Sequence, residues 1–224
     1  MEDTVFRPLR KLVDRITGDT VKDCLAIPGW LSLPEAQKLS STVASASSPA
    51  PVIVEIGSWL GQSSIISSKA LKRNKRGAVY CIDPFELDMK SLPPDMMKTA
   101  GELRLRSGED ALKLFEKNIA SAKVRDYITL IRGYSHDVVK SWDQKIDVLF
   151  IDGNHDYEAV KADLLGWEGF IAGGGWLLMH DVEIPSLGAK YYPGPGRVVE
   201  EYVLDSPSYS DKSLTDYLYV ARKK

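Results

Sequence analysis

The chain has 224 residues, 44% of them hydrophobic, and 29 Lys and Arg stand against 31 Asp and Glu for a net charge of −2. That length suits one well-packed α/β domain. The near-even charge balance lacks the basic surplus of a nucleic-acid binder, so no nucleic-acid partner is expected. Apolar runs stay under about ten residues, too short to span a bilayer, so no membrane partner is expected. The acidic start Met1-Glu2-Asp3-Thr4 lacks a signal-peptide core. Cys24 and Cys81 are far apart in sequence, which disfavours a disulfide framework or a zinc site. A soluble, cytoplasmic protein is expected.

In chain order, Val5, Leu9, Leu12, Val13 and Ile16 fall on one helical face, and Gly18 is a plausible stop. This helix is expected to pack on the domain or on a second subunit, giving a homo-oligomer through the N-terminal helices. Ser32-Leu33-Pro34-Glu35 has the form of a capping box that opens a second helix, with Leu39 and Val43 on its apolar face. The small, polar stretch from Ala44 to Pro51 reads as a linker. Residues 1–46 are thus an N-terminal helical extension and 47–224 the main domain.

From residue 52 the pattern alternates. Strands are expected at Val52–Ile56, Ala78–Ile82, Ile128–Ile131, Asp147–Ile151 and Gly175–Met179, with helices at about 61–73, 108–121, 136–142 and 157–170. Short β-branched runs separated by amphipathic helices argue for parallel strands with covering helices. Two long connections, Pro84–Ser107 and Val182–Arg197, read as loops. The first carries Leu87, Met89, Leu92, Met96 and Met97 and has the character of a lid. The second carries Tyr191 and Tyr192, suited to stacking on an acceptor. A short helix is expected at Arg197–Leu204. Two closing strands, near Tyr209–Leu214 and Tyr217–Ala221, give a mixed sheet with an antiparallel C-terminal edge.

The segment Glu55-Ile56-Gly57-Ser58-Trp59-Leu60-Gly61 directly follows the apolar run Val52-Ile53-Val54 and reads as a strand end, a glycine-lined turn and a helix start. Glycines there let the backbone approach a ligand, and the helix start offers unpaired N–H groups. Asp83 ends the next strand. Open parallel sheets bind ligands beyond the carboxyl ends of their strands, which is where both features fall. Trp59 occupies the place where a dinucleotide fold wants its second glycine, so NAD and FAD are disfavoured. Further on, Asp152-Gly153-Asn154-His155 ends the fourth strand and His180-Asp181 the fifth. Adjacent parallel strands bring both ends to one rim. Hard oxygen ligands there suit Mg²⁺, and a mixed imidazole–carboxylate set suits Mn²⁺ or Fe²⁺.

Val54-Glu55-Ile56-Gly57-Ser58-Trp59-Leu60-Gly61-Gln62-Ser63 resembles motif I of class I S-adenosylmethionine-dependent methyltransferases. The run Asp152-Gly153-Asn154-His155-Asp156-Tyr157, with Val160, Asp163, Gly174-Gly175 and His180-Asp181, resembles the macrolide-sugar and cephalosporin-tailoring O-methyltransferases. The resemblance covers residues 28–182, including Gly29-Trp30-Leu31. It implies a Rossmann-like three-layer α/β/α sandwich with a mostly parallel seven-stranded sheet and an antiparallel C-terminal edge strand. It also implies S-adenosylmethionine as cofactor, held by Glu55, Gly57, Ser58, Trp59, Gly61, Ser63, Asp83, Pro84, Gly133, Ser135 and Asp152. Asp83 is the expected partner of the ribose hydroxyls. A Mg²⁺ or other divalent cation is implied on Asp152, His180 and Asp181, where His180 departs from the family's acidic pair.

The implied reaction is metal-assisted O-methylation of a small-molecule acceptor such as a sugar or natural-product intermediate. His155 is the expected general base, His180 the second candidate, and Asp152 the third catalytic member. His136 is assigned to a helix start without a chemical role. Nitrogen or carbon methylation on the same fold, and a non-catalytic nucleoside-binding or oligomerisation role, stand as alternatives.

Overall fold

Seven strands form one sheet in the order β3-β2-β1-β4-β5-β7-β6. The computed structural model describes residues 21–87, 94–184 and 193–224. The strands are β1 Val52–Ile56, β2 Ala78–Asp83, β3 Ile128–Arg132, β4 Ile146–Ile151, β5 Ile171–Met179, β6 Tyr209–Thr215 and β7 Leu218–Lys223. The helices are α1 Leu33–Ala44, α2 Gln62–Asn74, α3 Pro94–Glu102, α4 Gly108–Ser121, α5 Ser135–Val138, α6 Tyr157–Trp167 and α7 Pro193–Val198. A π-helical stretch, Val199–Leu204, continues α7. The first five strands are parallel, and β7 and β6 join antiparallel at the end.

Alternation along the strands builds two cores. Ile53, Val79, Val148, Phe150 and Leu178 face one layer, where α1, α2 and α4 contribute Leu39, Ile65, Ile66, Phe115 and Ile119. Val54, Ile82, Leu149, Ile151, Leu177 and Met179 face the other, against Val160, Leu164 and Trp167 of α6 and Val199 and Val203 beyond α7. A sheet buried on both faces needs such period-two apolar strands. Helix α1 buries Ala36, Leu39 and Val43 in the first core, in the same layer as α2. Among the described residues no helix is long and apolar enough to cross a membrane.

Two stretches differ from the sequence expectation. The connection after Asp83 contains α3, so Met96 and Met97 sit on a helix rather than in an extended loop. Pro193-Gly194-Pro195-Gly196, read as loop, forms the first turn of α7. Proline is tolerated in a first helical turn. The glycines answer to packing: a β-carbon at Gly194 would stand 2.0 Å from the His155 carbonyl oxygen, and one at Gly196 1.7 Å from that of Glu183. The N-terminal helix expected over Val5–Ile16, together with Met89, Leu92, Tyr191 and Tyr192, lies outside the described residues.

Register places the site. Ile56 pairs with Ile82 and with Ile151, and Ile151 pairs with Met179. The residues that follow, Gly57, Asp83, Asp152 and His180, therefore emerge side by side at one rim. The chain runs outward from β1 to β3 on one side and from β4 to β5 on the other. The order reverses between β1 and β4, where open α/β sheets form their crevice.

Candidate active site

The turn after β1 is held from beneath and from the side. Asp83 accepts hydrogen bonds at Oδ2 from the backbone N–H of Ser58 (2.9 Å) and Trp59 (3.0 Å), and at Oδ1 from that of Phe85 (2.7 Å). Burial pushes its carboxyl upward against these three stabilising bonds. A carboxylate offers roughly four acceptor sites, so Asp83 keeps capacity for about one further donor and its larger task is to shape the turn. Trp59 takes a left-handed backbone conformation (φ 45°) there, packs against the first core and lies 6.0 Å from Trp30, ring centre to ring centre.

The two glycines serve the protein's own packing. Gly57 (φ 84°) would place a β-carbon 2.1 Å from the Asp152 carbonyl oxygen, so its bareness lets β1 and β4 close together. Gly61 (φ 87°) faces the Phe115 ring, 3.0 Å from an added β-carbon. Packing within the protein thus demands both glycines, a reason the sequence did not reveal.

Glu55 is 1% exposed and does not line the cleft. Its Oε2 accepts the hydroxyls of Ser58 (2.9 Å) and Ser64, while Oε1 finds no partner among the described residues. Burial raises its pKa despite those hydroxyls. Glu55 is thus a buried strut under the turn, not a wall of the site, and Gly61 likewise sits outside the cleft lining.

The remaining expected residues meet in one cleft of about 650 Å³. Gly57, Ser58, Trp59, Ser63, Asp83, Pro84, Gly133 and Ser135 line one half, and Asp152, His155, His180 and Asp181 the other. Ser135 Oγ donates to Asp163 of α6, itself part of the lining. His136 also lines the cleft, its ring stacked on Tyr134 at 5.4 Å. Sequence reasoning missed Glu86, which accepts the Tyr134 hydroxyl at 2.5 Å, and Gln62 and Tyr217, which complete the walls. No local pattern marks these residues, because the topology alone brings them to the rim.

At the β4–β5 rim four titratable groups form a network. His155 Nε2 lies 2.9 Å from Asp181 Oδ2. His180 Nδ1 lies 3.1 Å from Asp152 Oδ1 and 3.4 Å from Asp181 Oδ2, and its Nε2 is 3.6 Å from Glu35 Oε2. Burial disfavours a charged His180, yet the Asp152, Asp181 and Glu35 carboxylates outweigh it and hold the imidazole well above its ordinary pKa. Burial likewise opposes charge on His155, and Asp181 and Asp152 overcome it to raise that pKa. Asp181 is held far below the usual carboxylate range, because bonds from His155 and His180 exceed its burial cost. It also adopts a left-handed backbone (φ 52°), a conformation that aspartate tolerates better than most residues.

Glu35 carries this network to the far walls. It is 1% exposed, accepts the backbone N–H of Ser32 (2.7 Å) and of Tyr217 (2.8 Å), and faces His180. One carboxylate therefore ties the start of α1, the β6–β7 turn and the rim histidine together.

A cation on Asp152, His180 and Asp181, as expected from the sequence, would have to take His180 Nδ1 from the two carboxylates it already faces. His180 is 4% exposed and directs both ring nitrogens at carboxylates. The group whose ligand atoms lie within 4.8 Å of one another is Asp152, His155 and Asp181. Two carboxylate oxygens and one imidazole nitrogen fit a divalent cation that keeps open positions.

A parallel sheet with its glycine turn and acid at the β1–β2 rim, closed by an antiparallel hairpin, defines a class I S-adenosylmethionine-dependent methyltransferase. Residues 54–182 match the family described as "Methyltransferase domain", more than half of the 224-residue chain, and the protein belongs to that family. Solved structures share the fold. The O-methyltransferase NovP is 14% identical, with 96% of this chain and 99% of that one covered and a TM-score of 0.71. An O-methyltransferase from Bacillus cereus in complex with SAH is 18% identical, covering 95% and 97% with a TM-score of 0.63. A protein from Clostridium thermocellum described as a putative rRNA-methylase is 12% identical, covering 84% and 96% with a TM-score of 0.56.

Proposed function

We propose that this methyltransferase methylates a hydroxyl of a small acceptor, with His155 as general base. One observation carries the reading: the turn shaped by Asp83 and the His155–Asp181 pair open into the same cleft, large enough at about 650 Å³ for a nucleoside and a small second molecule. S-adenosylmethionine, when bound, supplies a methyl group on a cationic sulfur. The rim from Gly57 to Asp83 and Gly133 to Ser135 holds the nucleoside, leaving the β4–β5 half for the acceptor. There His155 takes the hydroxyl proton as oxygen attacks, and Asp181 holds the imidazole in place and stabilises the cation it becomes. The walls fix the approach line, which displacement at carbon demands.

A second reading rests on the spacing of ligand atoms in Asp152, His155 and Asp181. There the three side chains hold a divalent cation, which lowers the pKa of an adjacent hydroxyl, and His155 is a ligand rather than a base. Methyl transfer measured with and without EDTA separates the two. Turnover that survives chelation supports the base. Turnover lost on chelation and restored by Mg²⁺ or Mn²⁺ supports the cation. An inability to bind adenosylhomocysteine at all would remove both.

A further inference from the structure

The half of the cleft beyond Asp152 has a definite chemical character. Among the described residues no Lys or Arg lines any part of the cleft, whereas Asp152 and Asp181 line this half and Asp83, Glu86 and Asp163 the nucleoside half. The imidazoles that can carry charge at the β4–β5 rim are already matched: His180 faces three carboxylates and His155 faces Asp181. An anionic group entering here would lose its water and meet no unmatched cation among the described residues, a costly transfer. An excess of acidic groups in the lining also raises the local concentration of cations over anions at the mouth.

Aromatic surface faces the same space. Trp30 is 40% exposed and Tyr217 50% exposed, and both line the cleft. Neither is loosely placed. Leu31 N–H donates to Gln62 Oε1 at 3.2 Å, Gln62 Nε2 donates to the Ile27 carbonyl at 2.6 Å, and a β-carbon at Gly29 would stand 2.6 Å from that same amide side chain. The segment bearing Trp30 is therefore strapped to the start of α2. Tyr217 is anchored through its N–H to the buried Glu35. Backbone anchored in advance leaves only side-chain freedom to lose when a ligand stacks on these rings, and their faces favour flat or cationic groups.

From these two observations we infer that the acceptor subsite, bounded by Trp30, Tyr217 and the Asp152–Asp181 rim, takes ring-bearing hydroxyl compounds without a negative charge. Neutral aryl or glycosyl hydroxyls and their amines fit it. Phosphorylated, nucleotide-linked and carboxylated acceptors do not. The inference rests on the methyltransferase reading above and names its acceptor class.

The test uses the full chain saturated with adenosylhomocysteine and two matched pairs followed by calorimetry: phenyl β-glucoside against phenyl β-glucuronide, and dopamine against 3,4-dihydroxyphenylacetate. The neutral or cationic member of each pair is expected to bind at least tenfold more tightly. Trp30→Ala should lower that binding tenfold, and Tyr217→Arg should erase the preference, both with unchanged affinity for adenosylhomocysteine. Equal or tighter binding of the acids overturns the inference, as does a preference that survives Tyr217→Arg, or no binding by any of the four. Failure to bind adenosylhomocysteine is a different result, because it removes the underlying methyltransferase reading.

Discussion

His155 and Asp181 meet at 2.9 Å although they leave different strands, His155 from the loop after β4 and Asp181 from the end of β5. The contact orients an imidazole at the rim of the cleft and supplies the charge that steadies it once protonated. It is the relationship expected of a base and its orienting acid.

Replacing His155 with Gln removes the proposed proton acceptor and keeps a polar side chain in its place. General-base catalysis is worth about 100- to 10,000-fold, so kcat is expected to fall by that range. Affinity for adenosylhomocysteine, measured by calorimetry, should stay within about twofold, since His155 lies outside the half of the cleft assigned to the nucleoside. A variant that turns over at the wild-type rate would assign the proton to another group.

Asp83→Asn exchanges one acceptor oxygen for an amide that cannot accept from the backbone N–H groups of Ser58, Trp59 or Phe85. Losing charged hydrogen bonds costs on the order of 1.5–3 kcal/mol. Because these bonds shape the turn, urea unfolding should show a loss of that order together with weaker adenosylhomocysteine binding. A loss of affinity with full stability would instead give Asp83 a role confined to the ligand.

Glu35→Ala leaves His180 facing one carboxylate fewer and removes the acceptor for Ser32 and Tyr217. Breaking a buried ion pair costs roughly 3–5 kcal/mol, and chemical denaturation should register a loss of that order. An effect no larger than that of an exposed glutamate would mean that His180 is held by Asp152 and Asp181 alone.

Glu55 makes stability depend on pH in a definite direction. Burial raises its folded pKa above the ordinary 4.5. Between the unfolded and folded values the native state keeps a proton that the unfolded chain releases, so this contribution is full below the unfolded pKa and is lost as pH rises through the folded one. The difference in unfolding free energy between wild type and Glu55→Gln should therefore shift against the wild type as pH climbs from about 4. A difference that is flat with pH would place the ionised carboxylate in the fold.

The sheet was legible because period-two apolar runs bounded by turns leave few alternatives: β1 spans Val52–Ile56 and α4 spans Gly108–Ser121 as read from the pattern. Helix α7 was hidden by Pro193, Gly194, Pro195 and Gly196, whose propensities speak for loop while their packing against the His155 and Glu183 carbonyls demands glycine. Asp83, Asp152, His155 and Asp181 were visible as strand-end groups, and register carries all four to one rim. Glu55 shared that visibility, but its side chain is buried beneath the turn, and Gly61 packs against the Phe115 ring outside the cleft. The Glu35–His180 contact joins residues 145 positions apart, a proximity that no local pattern encodes. His155 joins Asp152 and Asp181 at the rim, while the buried His180 presents Nδ1 to the same two carboxylates and Nε2 to Glu35.

The most direct test is a crystal structure of the protein with adenosylhomocysteine. The account predicts the ribose within hydrogen-bonding reach of Asp83 or Glu86, the adenine beside Gly133–Ser135, and the sulfur facing Asp152 and His155. A nucleoside bound away from the β1–β2 rim, or one whose sulfur points away from the His155–Asp181 pair, would contradict it.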